Sequence, residues 1–158
     1  MRKSLVILVL AALAVALVAG CGGDSDSDSD SGDASALTKS QFIKQGDAIC
    51  SKIHKEQLAN MEAYGKKNPN SLATKSGQEA VVIEVALPPI NKAADGLDAL
   101  GAPEGDEEEI DAFIQAMEEL VEEGEGNPAT LLEEGTDPFE EVNDLARAYG
   151  FKVCSEPL

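Results

Sequence analysis

Residues 106–124, DEEEIDAFIQAMEELVEEG, decide the fold class of this chain. Each large apolar residue has another three or four positions away, which places them on one face of an α-helix. Acidic residues fill the predicted first turn, where the helix dipole favours negative charge. We expect Asp106 to cap this helix with Glu109 as its capping-box partner, and Gly124 to end it. The apolar face consists of Ile110, Phe113, Ile114, Met117, Leu120 and Val121.

The segment before this stretch predicts two further helices. Thr38 and Gln41 form a capping box for a helix that should run to about Lys66. A second helix is expected to start at Ser76 and to contain the apolar residues 80–90, where Pro88-Pro89 must kink or split it because proline lacks an amide donor. The predicted inner face of the first helix is Phe42, Ile49, Ile53, Met61 and Tyr64.

The segment after residue 124 predicts two more helices. Asn127-Pro128 opens a short one, and Asp137-Pro138 opens the last, with proline at the first helical position. No segment alternates like a β-strand, and short connections favour antiparallel neighbours. The sequence therefore predicts an all-α protein, an antiparallel bundle of four to five helices formed by residues 37–158.

The first twenty residues predict export. Two positive charges at Arg2 and Lys3 precede an apolar run, and small residues follow it. The sequence LVAGC at 17–21 resembles the lipobox of bacterial lipoproteins, which implies cleavage of residues 1–20 and a diacylglyceryl group on the Cys21 sulfur. An uncleaved membrane helix or ordinary secretion is the alternative, although residues 5–20 fall short of the roughly 20 apolar residues that span a bilayer.

Residues 21–36 predict a lipidated cysteine followed by a disordered acidic tether. After Cys21 the segment contains no large apolar residue that could repay the entropy of ordering it. Its alternating aspartates resemble a calcium-binding EF-hand loop, but Ser29 or Ser31 stands where that loop requires glycine. A solvated spacer is the simpler interpretation.

The charge of the mature protein restricts its partners. Without Arg2 and Lys3 the chain keeps 10 basic and 30 acidic residues, a formal net charge of −20. Such a surface argues against nucleic acid, whose binding requires basic side chains. We expect attachment to the membrane only through the lipid on Cys21, and a protein or cell-envelope component as a further partner.

The two remaining cysteines, Cys50 and Cys154, predict a disulfide. Pairs of cysteines in exported proteins are normally oxidised, and this bridge would close nearly the whole domain. A redox-active or metal-binding pair is the alternative. Redox pairs normally have the spacing Cys-x-x-Cys, and two cysteines with one histidine do not complete a zinc site.

Several segments resemble small actinobacterial lipoproteins. They are residues 37–50, the acidic Pro-Gly turn at 97–107, and YGFKVC at 149–154. The resemblance implies an exported helical domain with a terminal disulfide, and it carries over no catalytic residue and no defined activity.

Candidate chemistry in the sequence is sparse. His54 is the single histidine, and either a catalytic role or haem ligation together with Met61 or Met117 would be unusual. Glu84 becomes a site candidate only if it is buried; a narrow polar strip with Asp95 and Asp98 also explains it. We therefore predict no cofactor, no metal and no enzyme activity, but a lipid-anchored binding domain on the extracytoplasmic face of the cell membrane. A calcium-binding protein or a carboxylate-based hydrolase of the cell envelope is the alternative.

Overall fold

A computed structural model describes residues 36–156. The predicted signal peptide, Cys21 and almost all of the predicted tether lie outside these residues. The described part is helical and contains no strand, and four of its five α-helices contribute residues to one apolar core. The helices are α1 (Lys39–Lys67), α2 (Lys75–Val81), α3 (Leu87–Asp98), α4 (Glu107–Gly126) and α5 (Glu140–Tyr149). The predicted all-α bundle is confirmed.

The start of α1 follows the predicted capping box. The Gln41 amide donates to Thr38 Oγ1 at 3.3 Å, and the Thr38 amide donates to Gln41 Oε1 at 2.9 Å. Only the first half of α1 reaches the core, through Phe42, Gly46, Cys50 and Ile53. The prediction that Met61 lies on the inner face is wrong, because the helix continues past the bundle and Met61 is 38 % exposed.

A wide helical turn connects α2 to α3. The N-cap of α2 is Thr74, whose hydroxyl accepts from the Gly77 amide at 3.1 Å, and not the predicted Ser76. Residues Val82–Ala86 form a π-helical turn, in which the Leu87 amide donates to the Val82 carbonyl. The chain stays helical from Lys75 to Asp98, so the interruption is this π turn and not a break at Pro88-Pro89. The extra residue of the π turn comes just before Pro88-Pro89, which cannot donate to the preceding turn.

Two end signals of α4 act differently from the prediction. The Asp106 carboxylate makes no capping hydrogen bond to the helix, because it accepts instead from the Tyr149 hydroxyl at 2.8 Å. Gly124 does not end α4, which runs to Gly126. It is buried, and a Cβ there would lie 2.6 Å from Leu131 and 2.9 Å from Leu87. This glycine therefore allows close packing inside the bundle.

The last part of the chain closes the bundle. The predicted short helix is a single 3-10 turn, Thr130–Leu132. Helix α5 starts at Glu140, two residues after Pro138. After α5 the chain turns at Gly150, whose φ of 114° lies in the left-handed region that glycine tolerates. Phe151 then enters the core, where its ring lies 5.3 to 6.0 Å from those of Phe42, Phe113 and Tyr149.

The predicted disulfide is present. Cys50 in α1 and Cys154 in the C-terminal tail are joined, with their Cα atoms 5.3 Å apart. Both residues are buried. Because they are 104 positions apart in sequence, the bridge encloses almost the whole described domain.

Candidate functional site

Hydrogen bonds between α1 and the C-terminal tail, residues 150–156, lie beside the disulfide. We call this contact the clamp. The Asp47 carboxylate accepts three consecutive backbone amides of the tail: Lys152 at 3.1 Å, Val153 at 2.8 Å and Cys154 at 3.2 Å. Hydrogen bonds to an ionised acceptor are stronger than neutral ones. Asp47 and the disulfide therefore hold the same turn by two independent means.

Gly46, the residue before Asp47, also allows the tail to pack against α1. A Cβ at Gly46 would lie 2.5 Å from the Phe151 ring and 2.8 Å from Leu97. Only glycine lets the tail approach α1 so closely without displacing these buried side chains. Gly46-Asp47 is consequently a two-residue docking point for the tail.

A second polar cluster joins the start of α1 to α4 and α5. Lys39 Nζ lies 3.9 Å from the centre of the Tyr149 ring and 3.6 Å from Asp106 Oδ2. Its distance to Glu109 Oε2 is 3.3 Å. Burial, followed by the hydrogen bond to Asp106, raises the pKa of Tyr149 well above its ordinary value. The phenol therefore stays protonated and donates to Asp106, which is a structural role.

His54 lies beside a small apolar cavity under the disulfide. The cavity measures about 30 Å³, and its walls include Met117, Phe113, both disulfide cysteines and the buried Asn143. That volume holds about two water molecules at most. The sulfur atoms of Cys50 and Cys154, which line this cavity with His54, are joined in the disulfide. A histidine-activated cysteine nucleophile, which requires a free thiol, is therefore not assembled here.

An acidic groove runs between α3 and α4. Its walls carry Asp95, Asp98, Asp111 and Glu118. Within residues 36–156, no three side chains of the metal-binding types are close enough to hold a metal ion. The groove thus concentrates negative charge without an assembled ligand set.

The structure separates most candidates that the sequence singled out. Glu84 is exposed, as are Asp95 and Asp98, so the polar-strip interpretation is correct. His54 and Met117 line the same cavity, whereas Met61 is 38 % exposed and does not line it. Asp47, Asn143 and the partners of Asp106 were not predicted. Their contacts join residues up to 107 positions apart, which no local pattern signals.

None of the described helices is long and apolar enough to cross a membrane. Comparisons of the chain with protein-family models, curated proteins and solved structures give no match. The class of protein that the structure defines is thus a disulfide-closed, all-α domain.

Proposed function

We propose that this protein is an extracytoplasmic lipoprotein, anchored in the cell membrane through a lipid on Cys21, whose helical domain is an interaction module. The observation that carries the proposal is the pairing of Cys50 with Cys154. It leaves Cys21 as the third cysteine, directly after the apolar run of the signal sequence.

The disulfide also supports export. Disulfides persist in oxidising compartments and are rare in the cytosol. Here the bridge is buried and lies in a tail that Asp47 holds in place, as a structural disulfide does. A structural bridge and an export signal on one chain favour the same location outside the cytoplasm.

The division of polar side chains into structural contacts and exposed acidic faces favours an interaction role. Asp47, Asp106 and Tyr149 make long-range hydrogen bonds that hold the helices and the tail together. The remaining acidic residues are spread along exposed helix faces, where they keep the domain soluble and available to a partner.

Metabolic labelling tests the anchor. Cells expressing the full chain are fed an alkyne-tagged palmitate, and the protein is recovered and visualised. We expect the native chain and a Cys154→Ser control to carry the label in the membrane fraction, and Cys21→Ser to carry none. Equal labelling of Cys21→Ser would contradict the proposal.

Cross-linking in intact cells tests the interaction role. We expect one or a few reproducible cross-linked partners for the native chain. These partners should be reduced when residues 37–158 are exported behind an ordinary cleavable signal peptide, because anchoring raises the local concentration. A native chain that yields no partner in repeated experiments would count against an interaction module.

The acidic groove supports a second candidate, loose calcium binding by a domain of the cell envelope. Hard cations prefer carboxylate oxygens, and four carboxylates line the groove. Titration calorimetry with calcium tests it, using Asp98→Asn/Asp111→Asn to remove two groove charges. Heat in the native protein that this variant loses would support the candidate, and no heat at millimolar calcium would reject it. A carboxylate-based hydrolase would require two of these acids to act across the groove, and the same variant would then abolish turnover.

A further inference from the structure

A single buried side-chain amide faces the cavity under the disulfide. Asn143 is 8 % exposed and belongs to the buried face of α5. Its backbone amide donates to the Phe139 carbonyl at 2.8 Å, whereas its side-chain amide makes no hydrogen bond within residues 36–156. In this range no polar side-chain atom that is fully sealed from solvent lacks a partner, so the Asn143 amide touches open space, and it lines the cavity. An amide that is nearly buried without a partner costs stability, which the hydrogen bonds of an occupant would recover.

The mouth of this cavity lies between α1 and the start of α5. Of the residues that line the cavity, only His54 and Phe139 are half-buried, and all the others are buried. Apart from His54 and Asn143, the walls are apolar side chains and the disulfide. Phe139 precedes Asn143 by about one helical turn, so the amide lies just inside the mouth. An occupant therefore enters with an apolar end, while its polar atoms stay beside Asn143.

The size of the cavity selects the kind of occupant. Its volume of about 30 Å³ holds about two or three carbon atoms, since a methyl group is close to a water molecule in size. Pockets for free small molecules measure about 300–1,000 Å³. The cavity is far too small for such a ligand, but it matches one small apolar side chain of a partner, such as alanine or valine.

The polar groups at the mouth also fit a peptide. A primary amide carries donors on its nitrogen and acceptor sites on its oxygen, and a polypeptide backbone offers the complementary carbonyl and amide groups. The backbone beside an inserted side chain can therefore both donate to Asn143 and accept from it. Asp137, Glu140 and Glu141 are exposed next to Phe139, so basic residues beside the inserted one are favoured.

We propose that this cavity is the anchor pocket for a partner protein. One small apolar side chain of a basic segment enters past His54 and Phe139, and the backbone of that segment pairs with the Asn143 amide. A few anchors buried in pockets commonly carry most of the binding energy of an interface. The proposal rests on the interaction role proposed above, and it adds where the partner docks and what chemistry it presents.

A library of short synthetic peptides, each position varied in turn, tests the pocket when it is probed with residues 37–158. This part contains the whole described core and the disulfide, so it folds without the preceding segment. We expect the bound peptides to share an alanine or valine with lysine or arginine beside it. Glycine in place of the valine should weaken binding by about tenfold or more, because its buried carbons are lost. In NMR spectra of labelled protein, the side-chain amide signals of Asn143 should shift as peptide is added.

Asn143→Leu is the test variant, and Asn60→Leu is its matched control. Leucine keeps the branched shape of asparagine but cannot hydrogen-bond, so Asn143→Leu should bind the selected peptide about tenfold more weakly. Its melting temperature should stay equal or rise, because an amide without a partner has been removed. Asn60→Leu makes the same change at an exposed position of α1 and should leave the affinity unchanged.

Three results would overturn the proposal. One is a library in which no peptide binds the native domain better than Asn143→Leu. Another is binding that survives glycine at the apolar position, because attraction between charges alone would then explain it. The third is an Asn143 amide whose signals stay unchanged, as expected if the cavity holds only water.

Cross-linking in cells separates this proposal from the interaction role itself. Partners that Asn143→Leu captures as well as the native chain does would refute the pocket and leave the interaction role standing. A native chain without any partner would reject both.

Discussion

Reduction of the Cys50–Cys154 disulfide should remove a large share of the stability of the domain. The two cysteines are 104 positions apart, and cross-linking a loop of that length stabilises by about 4–5 kcal/mol in the chain-entropy model. Domains of this size are stable by about 5–15 kcal/mol. We therefore expect the reduced protein to stay folded at 25 °C but with a much smaller margin.

The native structure should change little on reduction. Asp47 still accepts the amides of the tail, and Phe151 remains buried among aromatic rings. Helix content by circular dichroism should therefore be nearly the same in both redox states. The effect lies mainly in the unfolded chain, which the bridge keeps compact, so the denaturant m-value should rise on reduction.

Urea unfolding of residues 37–158, with and without a phosphine reductant, measures this effect. With an m-value of about 2 kcal/mol/M, the midpoint should fall by about 2 M. Cys50→Ala/Cys154→Ala provides the control, since it should unfold like the reduced protein and ignore the reductant. A loss below about 1 kcal/mol with an unchanged m-value would refute the reasoning.

Three substitutions test the packing of the tail and of α5. Asp47→Asn should lower the free energy of unfolding by about 1–3 kcal/mol, because neutral hydrogen bonds replace charge-assisted ones. The control Glu125→Gln, at an exposed position, should leave the free energy of unfolding unchanged. Equal effects of the two substitutions in urea titrations would contradict the clamp. Gly46→Ala should cost about 1–3 kcal/mol by overpacking, whereas Gly126→Ala, whose Cβ would have no neighbour within 4 Å, should be neutral or stabilising. Tyr149→Phe should cost about 1 kcal/mol at neutral pH, since it removes one hydrogen bond. Because the pKa of Tyr149 is raised in the folded state, the unfolded chain loses this proton first above about pH 10, so native stability should fall there as pH rises. Tyr149→Phe should show a shallower alkaline fall, and identical slopes would contradict the buried hydrogen bond.

Local patterns predicted the helices because their signals act over a few residues. The three- and four-residue spacing in residues 106–124 gives the buried face of α4, and Thr38 with Gln41 gives the first residue of α1. The disulfide was also predictable, because Cys50 and Cys154 are the two cysteines that remain once Cys21 is assigned to the lipid.

Contacts between distant segments could not be predicted in this way. Asp106 has the residue type and position of a helix N-cap. Its carboxylate instead accepts a hydrogen bond from the hydroxyl of Tyr149, 43 positions away in sequence. Gly124 has the composition of a helix end, yet Leu87 and Leu131 pack against it. Met61 follows the helical period, but α1 is longer than the core that could cover it. In each case tertiary packing overrode a correct local rule.

The amino terminus of the native protein tests the central claim most directly. The chain would be extracted from membranes of its own cells, and its intact mass and amino-terminal peptide measured by mass spectrometry. The account predicts a chain that starts at Cys21, carries a diacylglyceryl group on that sulfur, and has Cys50 joined to Cys154. A chain that retains residues 1–20 and has an unmodified Cys21 would contradict it.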